Sequence, residues 1–219
     1  MPEFIGIAVL YVVPLLFAVI IHEVAHGWVA GRLGDPTARL LGRITLNPIV
    51  HIDMVGTIIL PGLLLLTGSP FLFGWAKPVP VNFGNLRGGR KDMAMVALSG
   101  PLSNFILAAI SSAIFHLTFS RFLDPAGIGK FWYMYLNEPV REMALISVRF
   151  NLVLMVINLL PIPPLDGGRI LTGIAPIRIA LALDKLERFG MLIVLLLIGS
   201  GAWSYIVSPV IGLFWRFLM

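Results

Sequence analysis

The stretch FIGIAVLYVVPLLFAVIIHEVAHGWVAG, residues 4–31, is a long apolar run with three ionisable side chains near its end. As a helix it would be about 40 Å long, which is enough to cross the hydrocarbon core of a bilayer. His22, Glu23 and His26 lie inside this run. Ionisable groups inside a membrane helix are costly and usually functional. The stretch therefore predicts a membrane-spanning first helix that carries a chemical site.

The composition of the whole chain favours a membrane protein. Of its 219 residues, 58% are hydrophobic and 12% are charged, whereas soluble globular proteins carry about 25% charged residues. The basic residues lie mainly in short connections between apolar runs, as in cytoplasmic loops of membrane proteins. The net charge of +5 therefore does not indicate a nucleic-acid partner. The sequence has no cysteine, so a metal site would use nitrogen and oxygen ligands.

The other apolar segments predict an all-α polytopic membrane protein, a bundle of about four to six transmembrane helices. Further spanning helices are expected over residues 92–119 and 139–160. The last apolar stretch, 189–218, is interrupted by glycines and a proline, so it is either one tilted span or a tight helical pair. No long polar linker divides the chain, and we expect a single transmembrane domain over residues 1–219.

Three shorter segments are expected at the membrane. RLLGRITLNP, residues 39–48, alternates like a short strand. FGWAKPVPVNF, residues 73–83, is expected to be extended, since prolines disfavour helix there. We expect both to be short membrane-associated strands. GTIILPGLLLLTG, residues 56–68, is apolar but short for a crossing, and a re-entrant segment is favoured.

Charge on both sides of residues 56–68 supports the re-entrant prediction. Basic residues precede and follow this segment: Arg32, Arg39 and Arg43 before it, and Lys77, Arg87, Arg90 and Lys91 after it. If the segment returned to the side that it entered from, both groups would stay cytoplasmic. We expect a multi-pass chain in the cell membrane. The position of His22, after about 18 residues of apolar helix, places the HEVAH stretch nearer the cytoplasmic face.

The spacing of HEVAH, residues 22–26, predicts a metal site. Residues i and i+4 of a helix lie on one face, about 6 Å apart along the axis. His22 and His26 can therefore bind one zinc ion, with Glu23 placed as a general base. The alternative is two interior histidines with structural hydrogen bonds beside a chance glutamate. Catalytic zinc usually has three protein ligands. Candidates for the third are His51, His116, Asp53, Asp92, Glu142 and Asp166.

NLLPIPPLDGG, residues 158–168, is the second unusual stretch. Its three prolines end the preceding helix abruptly, and irregular backbone at membrane depth is tolerated only when it is buried in protein or lines a cavity. Asp166 follows these prolines. The alternative is an ordinary turn at the membrane surface, because Pro, Asp and Gly are common turn residues. Spacing alone leaves both interpretations open.

HEVAH, SGPLSN (residues 99–104) and NLLPIPPLDGG together resemble the site-2 protease family of intramembrane zinc metalloproteases, in the family's order. The resemblance implies three ligands for one catalytic Zn²⁺: His22, His26 and Asp166. It also implies Glu23 as the catalytic base and Asn158 as a group that binds the substrate backbone. An interhelical hydrogen bond is the structural alternative for Asn158.

The function implied by this resemblance is hydrolysis of peptide bonds in or near transmembrane segments of membrane-protein substrates within the lipid bilayer. A non-proteolytic metal transporter or a scaffold for membrane partners is the alternative, and the oligomeric state stays open. No run of residues is long enough for a PDZ or CBS domain, so a minimal form is expected. His51 and Asp53, in the unusual insertion 49–72, are interpreted either as supporting the site or as a helix-start turn.

Overall fold

The structure is a computed structural model that describes residues 2–68, 74–119 and 137–219. Regular structure in these ranges is helical, which confirms the all-α prediction at this level. The α-helices are α1 Pro2–Leu33, α2 Thr37–Leu40, α3 Leu60–Leu66, α4 Arg90–Phe119, α5 Glu138–Asn158, α6 Asp166–Ile174, α7 Ile177–Gly199 and α8 Ala202–Leu218. Short 3₁₀ turns lie at Pro48–His51 and Phe83–Asn85, and a π-helix at Met54–Ile59 leads into α3.

Among the described residues, two helices are long and apolar enough to cross a membrane, Val9–Leu33 within α1 and Arg90–Thr118 within α4. Both keep large apolar side chains on their outer surfaces, each about half exposed: Tyr11, Phe17, Trp28, Ile106 and Ile110. Acyl chains of a bilayer would cover these side chains and remove the unfavourable contact with water. The outer surfaces of α1 and α4 are therefore suited to contact with lipid.

The central helix of the bundle is α4, which packs against α1, α5 and α6. One apolar core lies between α4, α5 and α8, where Ala108, Val148, Leu152 and Val207 are completely buried. Small residues in α4 let neighbouring helices approach closely, as is usual in membrane bundles. The arrangement brings the end of α1 and the start of α6 to the same face of α4.

The strand predicted over residues 39–48 is wrong. Its first residues form α2, and Arg43 N–H then donates to Ala38 O at 2.8 Å. Gly42 has a φ of 64°, a left-handed conformation that glycine adopts without strain. This local turn prevents the extended conformation that the alternating pattern favours. The apolar side chains of this stretch do not all pack into a core, because Leu40 and Leu41 are 79% and 62% exposed.

The segment predicted to be extended over residues 73–83 (below, the extended segment) has no regular secondary structure over residues 74–82, and no strand ladder is present among the described residues. Phe83 begins a 3₁₀ turn, and residue 73 lies outside the described residues. Pro78 and Pro80 have no N–H to donate, so the segment cannot form a regular ladder. Its ends are held by other contacts: Lys77 N–H donates to His51 O at 2.9 Å, and Asn82 N–H donates to the Asp35 carboxylate at 2.7 Å.

The last apolar stretch is a helical pair rather than one span. Gly201 has a φ of 74° and separates α7 from α8. The left-handed conformation at this glycine ends the helical path of α7, so the chain changes direction before α8 begins.

Asp35 connects the end of α1 to the loop after the extended segment. Its carboxylate is completely buried and accepts hydrogen bonds from the Thr37 hydroxyl, Asn82 N–H and the Asn85 amide, at 2.5, 2.7 and 2.9 Å. Burial raises the pKa of Asp35, but the hydrogen bonds from Thr37, Asn85 and Asn82 outweigh it, and the net pKa is lowered. These bonds therefore stabilise the fold above the pKa of an unfolded aspartate, and this stability is lost as the pH falls through the folded pKa.

We expect Asp35→Ala to lower the free energy of unfolding by about 2 kcal/mol, because hydrogen bonds to a charged acceptor are lost. Thermal unfolding in detergent measures the change, and the variant should lose less stability than the native chain on acidification. Asp184→Ala, which removes an exposed carboxylate from α7, is the control. Equal stability of the Asp35 and Asp184 variants would contradict the prediction.

Candidate metal centre

Three potential ligand atoms converge where α1 meets the start of α6. The Nε2 atoms of His22 and His26 lie 3.1 Å apart, and Asp166 Oδ2 lies 3.2 and 3.3 Å from them. Tetrahedral zinc with ligand bonds of about 2.0–2.1 Å keeps its ligand atoms about 3.3 Å apart. The triangle of donors therefore has the size of three corners of a zinc coordination sphere.

The hydrogen bonds around this triangle favour a cation at its centre. His26 Nδ1 lies 2.8 Å from Val96 O, a carbonyl that can only accept, so His26 Nδ1 carries the proton and its Nε2 presents a lone pair. Asp166 Oδ2 is buried and accepts no hydrogen bond. Lone pairs that face one another in a buried site repel unless a cation lies between them. The donor set therefore fits a metal ion with nitrogen and oxygen ligands.

Close packing of α4 against α1 depends on Gly100 in the SGPLSN stretch. A Cβ at this position would overlap His26 Nε2 and lie 2.6 Å from His22 Cε1. Any larger residue would displace the imidazoles. The glycine therefore lets the backbone of α4 form one wall of the metal centre.

Asp166 is the first residue of α6, directly after the proline-rich turn. Gly167 and Gly168 pack on that turn so tightly that a Cβ on either would overlap backbone of Leu159 or Pro163. The positive end of the α6 dipole favours a carboxylate at this position. The turn and the two glycines thus present Asp166 to the two histidines of α1.

Glu23 is held by the extended segment. Its Oε2 accepts the Val79 N–H at 2.7 Å. The same segment is also held by the buried Arg43, whose guanidinium donates to Lys77 O at 2.8 Å and Pro78 O at 3.3 Å. Glu23 therefore has one oxygen oriented by backbone, beside the candidate metal ligands.

A cavity of about 350 Å³ opens at this centre. His22, Glu23, His26 and Asp166 line it together with the extended segment, Asn158 and Arg169. The Asn158 amide group donates to Leu154 O, in its own helix, at 3.0 Å. Arg169 stacks on Phe83, with its guanidinium carbon 4.9 Å from the ring centre. The cavity therefore combines the candidate ligands, the candidate base and two further polar side chains.

The other candidate ligands lie elsewhere and have structural contacts. His51 Nε2 lies 2.9 Å from Thr45 O, and Asp53 accepts the N–H groups of the helical turn that follows it. Asp92 accepts Gly88 N–H at 2.6 Å, at the start of α4. His116 Nε2 lies 3.3 Å from Leu218 O. In the described part of the chain, only His22, His26 and Asp166 form a group that could hold a metal ion.

Sequence reasoning missed several residues that shape the site. Asn104 lies within SGPLSN, but no local pattern assigns it a contact, and none marks Asn151, Arg43 or Val79 as part of the site. Asn104 and Asn151 carried a usable signal, because a side-chain amide inside an apolar helix needs a buried partner. Nothing local marked Val79, which contributes its backbone N–H.

Comparison with known proteins agrees with the resemblance to the site-2 protease family. The model of peptidase family M50 matches residues 10–199. A Bacillus subtilis protein with the provisional name zinc metalloprotease YwhC is 35% identical over 206 residues, covering 92% of this chain and 85% of that protein. A Mycolicibacterium smegmatis protein provisionally named zinc metalloprotease Rip2 is 29% identical over 196 residues, covering 90% of this chain and 69% of that protein. No solved structure matches at a significant level.

The matched range contains all three motifs on which the resemblance was based. The predictions of family, of enzyme class and of zinc as the cofactor are confirmed by the family match and the named relatives. The chain belongs to peptidase family M50, the site-2 protease family, and is an intramembrane zinc metallopeptidase.

Proposed function

We propose that His22, His26 and Asp166 bind the catalytic zinc ion and that Glu23 is the general base for hydrolysis of membrane-protein substrates. One observation carries this assignment: three ligand atoms lie 3.1–3.3 Å apart beside Glu23, in one cavity. Zinc bound there supplies a Lewis acid that activates water and polarises the scissile carbonyl.

Glu23 takes a proton from the attacking water and delivers it to the leaving amine. The hydrogen bond from Val79 N–H fixes one carboxylate oxygen, which leaves the other for the proton. Because this donor is backbone, it keeps the carboxylate in place in either protonation state of Glu23. The base is thus oriented before substrate enters.

Asn158 and the extended segment would bind the substrate backbone. A substrate helix must unwind before cleavage, since its carbonyls are otherwise engaged in internal hydrogen bonds. Residues 75–82 offer an extended edge at the cavity, although Pro78 and Pro80 have no N–H and the N–H of Val79 is engaged by Glu23. Arg43 also donates to Lys77 O and Pro78 O, so substrate pairing along this edge would be limited to the remaining backbone groups of the segment.

The single domain over residues 1–219 would cross the cell membrane four to six times, with the metal centre nearer the cytoplasmic face. In addition to α1 and α4, α5 and the C-terminal helices are the proposed crossings. The helical segment 54–66 would be re-entrant, and its exposed apolar side chains support contact with lipid: Met54, Val55, Ile58, Ile59, Leu63 and Leu66.

The absence of native cysteine makes the re-entrant proposal testable with single cysteines at Leu40 and Lys91, on either side of the segment. We expect a membrane-impermeant maleimide to label both from the cytoplasmic side, and a cysteine at Glu138 from the opposite side. All three replaced residues are exposed. Labelling of Leu40→Cys and Lys91→Cys from opposite sides would mean that residues 54–66 cross the membrane.

The proposed activity is tested with the purified protein in detergent and a panel of single-span membrane-protein substrates. Cleavage should require one zinc ion per chain, stop when a chelator removes the ion, and return on zinc addition. Zinc binding without cleavage of any substrate in a broad panel would favour the scaffold alternative.

A further inference from the structure

Two completely buried asparagine side chains connect the metal centre to the interior of the bundle. Asn104 on α4 and Asn151 on α5 both have an exposure of 0%. A side-chain amide in an apolar interior is unfavourable unless its donors and acceptors are paired. The catalytic steps proposed above use neither residue, so the contacts of these amides need another explanation.

The orientation of Asn151 is fixed by backbone. Its Nδ2 lies 2.9 Å from Ser147 O, a carbonyl that can only accept a hydrogen bond. The amide nitrogen must therefore face Ser147, and the Oδ1 faces the other way. That oxygen accepts a hydrogen bond from Asn104 Nδ2 at 2.9 Å.

The orientation of Asn104 follows from two acceptors. Its Nδ2 donates to Asn151 Oδ1 and also to Ala18 O, at 3.0 Å, which uses both amide hydrogens. Asn104 Oδ1 is then directed at His22 Nδ1, 2.6 Å away. Because an amide oxygen can only accept, His22 Nδ1 carries the proton. The Nε2 lone pair of His22 therefore faces His26 and Asp166.

We propose that Asn104, oriented by Asn151, is a positioning residue that holds His22 in the Nδ1-protonated tautomer and directs its Nε2 to the metal. The inference rests on the proposed assignment of His22 as a zinc ligand. Partners of the second ring nitrogen fix the tautomer and orientation of ligating histidines and contribute to metal affinity. His26 obtains the same constraint directly from Val96 O, whereas His22 depends on two side chains from two other helices.

The competing explanation is that the two asparagines only join α1, α4 and α5. The chain offers a control for this explanation in Ser112, which is also buried in α4 and donates to Leu218 O at 2.5 Å. Ser112→Ala removes a buried hydrogen bond of α4 without touching the metal centre. A purely structural contribution of Asn104 would make the two alanine variants alike once each is folded.

The test measures zinc dissociation constants of the purified full chain by chelator competition, with thermal unfolding recorded for each variant. Asn104→Ala should bind zinc about 10- to 100-fold more weakly, while Ser112→Ala should bind it as the native chain does. Asn104→Asp, whose carboxylate can still accept a hydrogen bond from the His22 Nδ1–H, should recover most of the zinc affinity. Should Asn104→Ala fail to fold, Asn151→Ala should show a severalfold loss in its place.

A folded Asn104→Ala variant with native zinc affinity would overturn the inference, and so would an equal loss in Ser112→Ala. A native affinity for folded Asn151→Ala would overturn the contribution of Asn151. These outcomes differ from failure of the proposed function. If the native chain bound no zinc, or if His22→Ala bound it normally, the assignment of His22 as a ligand would fail first.

Discussion

Replacing Glu23 by glutamine should lower the rate of peptide-bond hydrolysis by about 10²- to 10⁴-fold, the usual contribution of a general base, while zinc stays bound. Glutamine has nearly the same shape, and its side-chain oxygen can still accept the Val79 N–H. It cannot take a proton from water at neutral pH. Cleavage rates and bound zinc are measured on the same preparation, so that loss of the base is separated from loss of the metal.

Glu142→Gln is the matched control for this change, since it neutralises an exposed carboxylate on α5. It should cleave substrate at the native rate. Native activity of Glu23→Gln would remove Glu23 from the mechanism. The variant also separates proteolysis from metal transport, because a transporter with the same ligands has no need of a proton acceptor beside them.

Replacing Asp166 by alanine should raise the zinc dissociation constant by more than about 100-fold, beyond the loss typical of residues that only support a ligand, and should abolish cleavage. Asp166 Oδ2 is the only oxygen among the three donor atoms, so the alanine variant would keep only the two imidazole ligands. Zinc content after dialysis and chelator competition measure the effect.

Asp184→Ala, in which an exposed carboxylate of α7 is removed, should keep native zinc affinity and activity. If Asp166→Ala retained one zinc ion per chain with native affinity, the third ligand would have to be sought elsewhere. Asp53 and Asp92 would be poor replacements, since each already accepts backbone N–H groups at the start of a helical segment.

The long helices were predictable from the sequence because their signals are local. Apolar runs over residues 4–31, 92–119 and 139–160 correspond to α1, α4 and α5, with ends that agree within two residues. The same kind of reasoning failed over residues 39–48, where alternation suggested a strand. There the turn through Gly42 and the hydrogen bond from Arg43 to Ala38 set the backbone, and no neighbouring strand is available among the described residues.

By itself, the sequence determined the helical spacing that puts His22 and His26 on one face, with Glu23 beside them. These residues are close along the chain, and the period of the helix fixes their geometry. It also limited the metal ligands to nitrogen and oxygen. The choice of Asp166 as the third ligand came from resemblance, because the residues alone left several carboxylates open.

Only the tertiary structure decided which groups complete the site. It brings Asp166 next to the two histidines, and it forms the hydrogen bonds from Val79 N–H to Glu23 and between Asn104 and His22. All of these contacts join residues that are 56 or more positions apart in the chain. Such contacts depend on how α1, α4 and α6 pack, and no periodicity along one segment encodes that packing. The tautomer of His22 depends on packing for the same reason. It is set by the amide of Asn104 on α4, and the orientation of that amide is set in turn by Asn151 on α5.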